Sequence, residues 1–385
     1  MKKLLFVLTL ILISYTAYSW GFWAHQRINR IAVFTLPAEM IPFYKAHIEF
    51  ITEHATDPDS RRYAVEYEAP RHFIDIDHYG KYPFLNVPRQ WEDAKATYTE
   101  DTLITYGIVP WHIQVSLAQL TNAFKEKNLE KILKYSAELG HYVADAHVPL
   151  HTTENYNGQL TGQKGIHGFW ESRLPELFGE TYNFFVGKAY FIKNTLEEAW
   201  ATVLESHAAL DSVLSFEKEL SKVFPPDKKY SFENRNGVLV KVYSKEFSAA
   251  YHSRLNGQVE RRMRKAILRI GSFWRTAWEK AGKPDLIELA KERLSAAQLK
   301  TIEQEQALWK KYAQNPLQKD RESVFIELIG KVESSHEHEC CVLSYHKSKV
   351  KPQKTTLSAK HFWECIIEKI FKWIYFLCKV VGYEG

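Results

Sequence analysis

His141-Tyr142-Val143-Ala144-Asp145-Ala146-His147-Val148-Pro149-Leu150-His151 is the stretch on which the reading of this chain turns. A histidine and an aspartate four residues apart lie on one face of a helix and can share a cation. Pro149 ends that helix, and His151 beyond the break can turn back toward a neighbouring ion. A Gly/Gln/Asn-rich loop, Asn157 to Gly168, then leads into His167-Gly168-Phe169-Trp170-Glu171, a second His/carboxylate pair at helical spacing. Either pair alone reads equally well as a surface ion pair or a helix cap. Two such pairs within 31 residues point to a metal centre. Neutral imidazole and carboxylate are the donors zinc takes in catalytic sites.

Outward from these motifs the pattern is mostly helical. Apolar residues recur at three- and four-residue spacings in Ile28 to Phe34, Leu117 to Phe124, Ile132 to Val143, Leu196 to Leu214 and Val259 to Trp278. Alternating strand patterns are few. A polar stretch from Pro225 to Gly237 separates the first helical half from an expected helical pair, Ser244 to Gly282 and Ala296 to Val332. With 385 residues, 45% hydrophobic and 14% aromatic, the chain has ample material for a packed core, which excludes disorder of the whole. A net charge of +5 from 51 basic and 46 acidic residues implies no polyanionic partner by itself.

The N-terminus reads as an export signal: Lys2-Lys3, the apolar run Leu4 to Ile13, then the small-residue pattern Ala17-Tyr18-Ser19. The apolar run is about ten residues, well short of the ~20 that span a bilayer. Cleavage before Trp20 would release the protein to the periplasm or the exterior. The four cysteines, Cys340, Cys341, Cys365 and Cys378, all lie near the other end, so the body is expected to fold without a disulfide. Three regions follow: a signal peptide (1–19), a helical body (20–332) and a tail (333–385). The aromatic, charged segment 361–381 in that tail suits a helix packed on the body or peripheral contact with a membrane. No protein partner is implied.

Upstream, His25 lies five residues after Trp20, and His72 sits in Ala69-Pro70-Arg71-His72-Phe73-Ile74-Asp75, downstream of Asp57-Pro58-Asp59. Taken in order, these residues resemble the phospholipase C/P1 nuclease superfamily. The segment Ala55 to Arg62 looks like its Asp-x-x-Arg element, with Asp59 as the aspartate and Arg62 as the arginine, His72-Phe73-Ile74-Asp75 is similar to its His-Phe-Ile-Asp, and His141 to His151 resembles its His-x-x-x-Asp followed by Pro-Leu-His. The resemblance implies an all-α, multi-helical phospholipase C/P1 nuclease-like fold and three zinc ions. Asp59, His72, His141 and Asp145 would hold one ion, and His151, His167 and Glu171 the second. The third would fall to the Trp20 backbone, His25 and Asp145, so a chain keeping a residue ahead of Trp20 is expected to lose it. Asp59 would also handle the attacking water, with Asp57 as a rival that spacing does not dismiss.

The family divides over substrate. Glu171 as the last donor matches the bacterial phospholipases, where the nucleases have Asp. Against that, Phe73 and Asp75 match the nuclease residues that stack on and hydrogen-bond a base, although core packing accounts for Phe73 equally well. Asn155 is a candidate in the substrate cleft, with a plain loop role as the alternative. The expectation is therefore a phosphodiester hydrolase acting on a phospholipid head group, ahead of single-stranded DNA or RNA. A non-catalytic periplasmic zinc-binding protein, with the same donors closed around the metal, is the remaining class.

Overall fold

Helical phase brings the donors into the interior. The structure, a computed structural model, describes residues 21–235 and 238–314. The expected signal peptide (1–19), Trp20 and the tail with its cysteines and residues 361–381 lie outside the described residues. Eight described helices have ten or more residues: α1 (Phe22–Ala32), α2 (Val109–Glu126), α3 (Leu129–Asp145), α4 (Thr195–Ala208), α5 (Leu210–Val223), α6 (Lys245–Arg254), α7 (Gln258–Lys280) and α8 (Ala296–Gln314). All the described residues belong to one unit, Met1–Val324.

The centre of that unit is α3. Asn128 caps its start, the side chain accepting from the Lys131 amide at 3.0 Å. Its first turns are amphipathic, and from Ser136 to Asp145 every residue is buried, because α1, α2 and α7 surround that end. The close approach of α1 depends on Gly140: a Cβ there would lie 2.2 Å from Asn29 Oδ1. Asn29 Nδ2 donates to Ala137 O at 3.0 Å across the same gap. On the other side, Trp274 of α7 donates its indole N–H to Ser136 O at 2.9 Å and stacks on Tyr44 at 5.0 Å.

The expected helical stretches are helical, with breaks that periodicity did not foresee. Leu196 to Leu214 is two helices meeting at Ala209, and Ser244 to Gly282 is α6 and α7, separated where Asn256 and Gly257 take positive φ. The described part of the last stretch is α8. The polar segment from Pro225 proves to enter an antiparallel hairpin, β1 (Tyr230–Arg235) and β2 (Val238–Tyr243), in which Tyr230 pairs with Tyr243 and Phe232 with Lys241. Its signal was present in Val238-Leu239-Val240-Lys241-Val242-Tyr243 following Asn236-Gly237, a dipeptide suited to hairpin turns. These two strands are the sheet content of the described residues, so the body is all-α in class. Among the described residues no helix is long and apolar enough to cross a membrane.

Candidate metal centre

Six separate segments bring donors to one interior place. His25 comes from α1, and His141 with Asp145 from the last turns of α3. Asp59 comes from the helical turn Asp57–Arg61, His72 from the 3-10 turn Ala69–His72 and His151 from the 3-10 turn Pro149–Thr152. His167 lies in the turn Ile166–Gly168 and Glu171 in the π turn Phe169–Arg173 that continues it. A main-chain bond and a side-chain bond lock two of these segments together: the Ile74 amide donates to His151 O at 2.9 Å, and the His151 ring through Nδ1 to His72 O at 2.9 Å. Asp77 fastens the same seam, accepting from Thr153 Oγ1 at 2.6 Å and the Glu154 amide at 3.0 Å.

The eight side chains are buried, none more than 7% exposed. Their donor atoms form three groups, each within 4.8 Å: His25, His141 and Asp145; Asp59, His72 and His141; and His151, His167 and Glu171. Asp145 faces both ways. Its Oδ1 lies 3.4 Å from His25 Nε2, while its Oδ2 lies 2.8 Å from His72 Nδ1 and 3.1 Å from His141 Nε2. In the third group His151 Nε2 and His167 Nε2 approach to 3.0 Å, with Glu171 Oε2 at 3.4 and 3.1 Å from them.

Buried polar atoms are normally hydrogen-bonded, because leaving one unpartnered costs about 1–3 kcal/mol. Here both ring nitrogens of His25, both carboxylate oxygens of Asp59 and of Glu171, and Nδ1 of His167 have no hydrogen-bond partner. Such crowding of bare donors inside a core fits cations that take nitrogen and oxygen together. The donor set is imidazole and carboxylate without thiolate, which suits zinc.

Burial also sets the proton states. Desolvation, reinforced by His141, lowers His25 to about 4, and desolvation with the nearby Arg62 lowers His167 to about 4, so both rings are neutral near pH 7. Desolvation raises Glu171 to about 8, against the pull of His151 and with a further push from Asp145 and Asp59. Burial alone would lower His72, but Asp145 bonded at Nδ1 and the Glu68 carboxylate 3.6 Å from Nε2 prevail and lift it to about 9. Asp145 is held well below the usual carboxylate range, its desolvation outweighed chiefly by His141 and His151.

Of the two rival aspartates, the structure brings only Asp59 into the cluster. Asp57 faces elsewhere, its Oδ2 bonded to His54 Nδ1 at 2.7 Å and its Oδ1 accepting from Gln306 Nε2 of α8 at 3.0 Å. His147 is likewise apart, bonded through Nδ1 to Val143 O at 2.7 Å. Trp111 is an aromatic wall, edge-on to Trp91 and Trp200. Phe73 is 7% exposed and Asp75 4%, so neither presents an open face or edge to a base in this conformation. The Asn155 amide is engaged within its own loop, donating to Thr161 Oγ1 at 3.1 Å and accepting from the Leu160 amide at 2.8 Å. Sequence reasoning passed over Arg61, Glu68, Glu138 and Tyr142, which form a buried charged network behind His72. The spacing of Glu68 to His72, four residues, was the available signal.

Fold and site together define a helical protein with a buried, multi-group His/carboxylate centre. No family model and no curated protein matches the chain. Solved structures similar to it include the alpha-toxin of Clostridium perfringens from an avian strain, at 14% identity and TM-score 0.39 over 69% of this chain. Another is the alpha toxin of Clostridium absonum, at 13% identity and TM-score 0.38 over 67% of this chain. The chain spans 65% and 63% of the length of those two toxins. At that depth of superposition the donor geometry, and not the likeness, is what bears on function.

Proposed function

We propose that the protein is an exported zinc-dependent phosphodiester hydrolase of phospholipase C type, acting on a phospholipid head group. The observation that carries this reading is the meeting of eight buried donors in three groups, two of which share His141, with unpartnered atoms among them. Asp59, His72, His141 and Asp145 would hold one ion, His151, His167 and Glu171 a second, and His25 with Asp145 and the Trp20 backbone a third. Bound there, zinc would offset the charge of the ester oxygens and make a water acidic enough to attack near neutral pH.

The residues supply the rest. Asp145, with one oxygen toward His25 and the other toward His72 and His141, holds two groups at a fixed spacing and tempers repulsion between adjacent dications. Asp59 lies 3.7 Å from His72 Nδ1 and 3.8 Å from His141 Nε2 with both oxygens unbonded, a position suited to orient the attacking water and accept its proton.

Glu171 as the last donor and the burial of Phe73 and Asp75 support a lipid over a nucleobase. The motif His72-Phe73-Ile74-Asp75 keeps cleavage of single-stranded nucleic acid as the second reading. The test offers the mature, zinc-loaded protein phosphatidylcholine, single-stranded DNA, RNA and a chromogenic phosphodiester side by side. Release of phosphocholine is expected. Turnover of DNA or RNA alone would transfer the assignment to the nuclease reading, and turnover of none would leave a zinc-binding protein without catalysis.

A further inference from the structure

A neutral imidazole has one lone pair to give and one proton to place, so a ring that faces a cation with one nitrogen needs an acceptor for the other. His141 and His151 place that proton on main-chain carbonyls: Nδ1 of His141 lies 2.8 Å from Ala55 O, and Nδ1 of His151 lies 2.9 Å from His72 O. Both rings then face the cluster through Nε2. His72 is turned the other way. Its Nδ1 lies 2.8 Å from Asp145 Oδ2 and 3.0 Å from His141 Nε2, so a cation held in that group would take the Nδ1 lone pair and leave the ring proton to Nε2. That nitrogen is buried without a hydrogen bond, and Glu68 Oε1 stands 3.6 Å away.

Glu68 is fully buried and held from three sides. Arg61 Nε donates to its Oε2 at 2.9 Å, Arg71 Nη1 to the same oxygen at 2.8 Å, and the Tyr142 hydroxyl donates to Oε1. Arg61 is fixed in turn by Glu138 and by the Tyr142 hydroxyl at 2.8 Å. Its partners therefore point Glu68 at the outer edge of the His72 ring with little freedom to swing away.

The geometry points to Glu68 as the positioning residue for His72: it receives the Nε2 proton, selects the tautomer whose Nδ1 lone pair enters the donor group, and strengthens that nitrogen toward a divalent cation. This rests on the metal-centre reading above. The rival account makes Glu68 only a counter-ion for Arg61 and Arg71.

The test titrates zinc against a competing chelator in the full-length wild-type protein, Glu68→Gln and Glu68→Asp. In Glu68→Gln one zinc equivalent is expected to weaken by roughly ten- to hundredfold while the others keep their affinity. Glu68→Asp, which keeps the charge, recovers most of that loss. Unchanged affinity at every site in folded Glu68→Gln would overturn the role of Glu68 alone, whereas a wild-type chain that binds no zinc would remove the centre and this inference with it. Should Glu68→Gln fail to fold, nitrogen-15 NMR of the zinc-loaded wild type decides: a proton on His72 Nε2 is expected, and a proton on Nδ1 would overturn the proposal.

Discussion

His141 and His147 are both fully buried and stand six residues apart in the chain, His141 in the last turns of α3 and His147 just beyond its end, yet they belong to opposite kinds of polar cluster. Around His147 each cation has a carboxylate or carbonyl partner. Arg262 Nε donates to His147 O at 2.9 Å, and Arg269 lies 2.7 Å from Glu198 and 2.9 Å from Glu205, to which Lys265 adds a bond at 2.9 Å. Around His141, imidazoles and carboxylates crowd together with several atoms unpartnered. A satisfied network ties α4 to α7 and asks for nothing more. An unsatisfied one of like donors is a place for cations.

The largest expected effect breaks the second cluster at the residue that faces two groups. Asp145→Ala should reduce bound zinc by two equivalents and lower phosphodiester hydrolysis more than about a thousandfold, beyond the 10–100-fold typical of outer partners; metal analysis and initial rates check it. Asp59→Asn is next. Hydrolysis should fall by about 10²–10⁴ with zinc content nearly intact, as for loss of a group that manages a proton. Equal loss of metal and rate would make Asp59 a donor and nothing else.

The donors were legible because residues four apart on a helix announce a shared face, as in His141/Asp145 and His167/Glu171. The meeting of those pairs with His25 and Asp59 was not, since it depends on α1 lying against Gly140 and on segments far apart in the chain. Asp57 and Asp59 are two residues apart on one short helical turn, about 200° around it, so only the placement of that turn separates them. Glu68 was missed for the same reason: its partners Arg61 and Tyr142 come from separate helical segments, and Arg61 is itself fixed by Glu138 of α3.

Proton competition sharpens the contrast further. His72, raised to about 9, and Glu171, raised to about 8, hold protons at pH 7 in the metal-free protein, and zinc must displace both. Apparent zinc affinity should therefore rise with pH, by up to about tenfold per unit for each of the two ions that displaces one proton, levelling off above 8 at the Glu171 site and above 9 at the His72 site. Calorimetry in buffers of different ionisation enthalpy counts those protons, and a pH-independent affinity would contradict these proton states. The smallest effect belongs to the matched network. Glu205→Gln should cost about 1–2 kcal/mol of stability, less than a fully buried pair because Glu205 is 35% exposed, and leave zinc content unchanged.

The most direct test of the centre is native mass spectrometry of the mature chain after equilibration with micromolar zinc and removal of loosely held metal. Three retained ions per chain are predicted, released by a strong chelator. A chain that stays metal-free under those conditions would contradict the account.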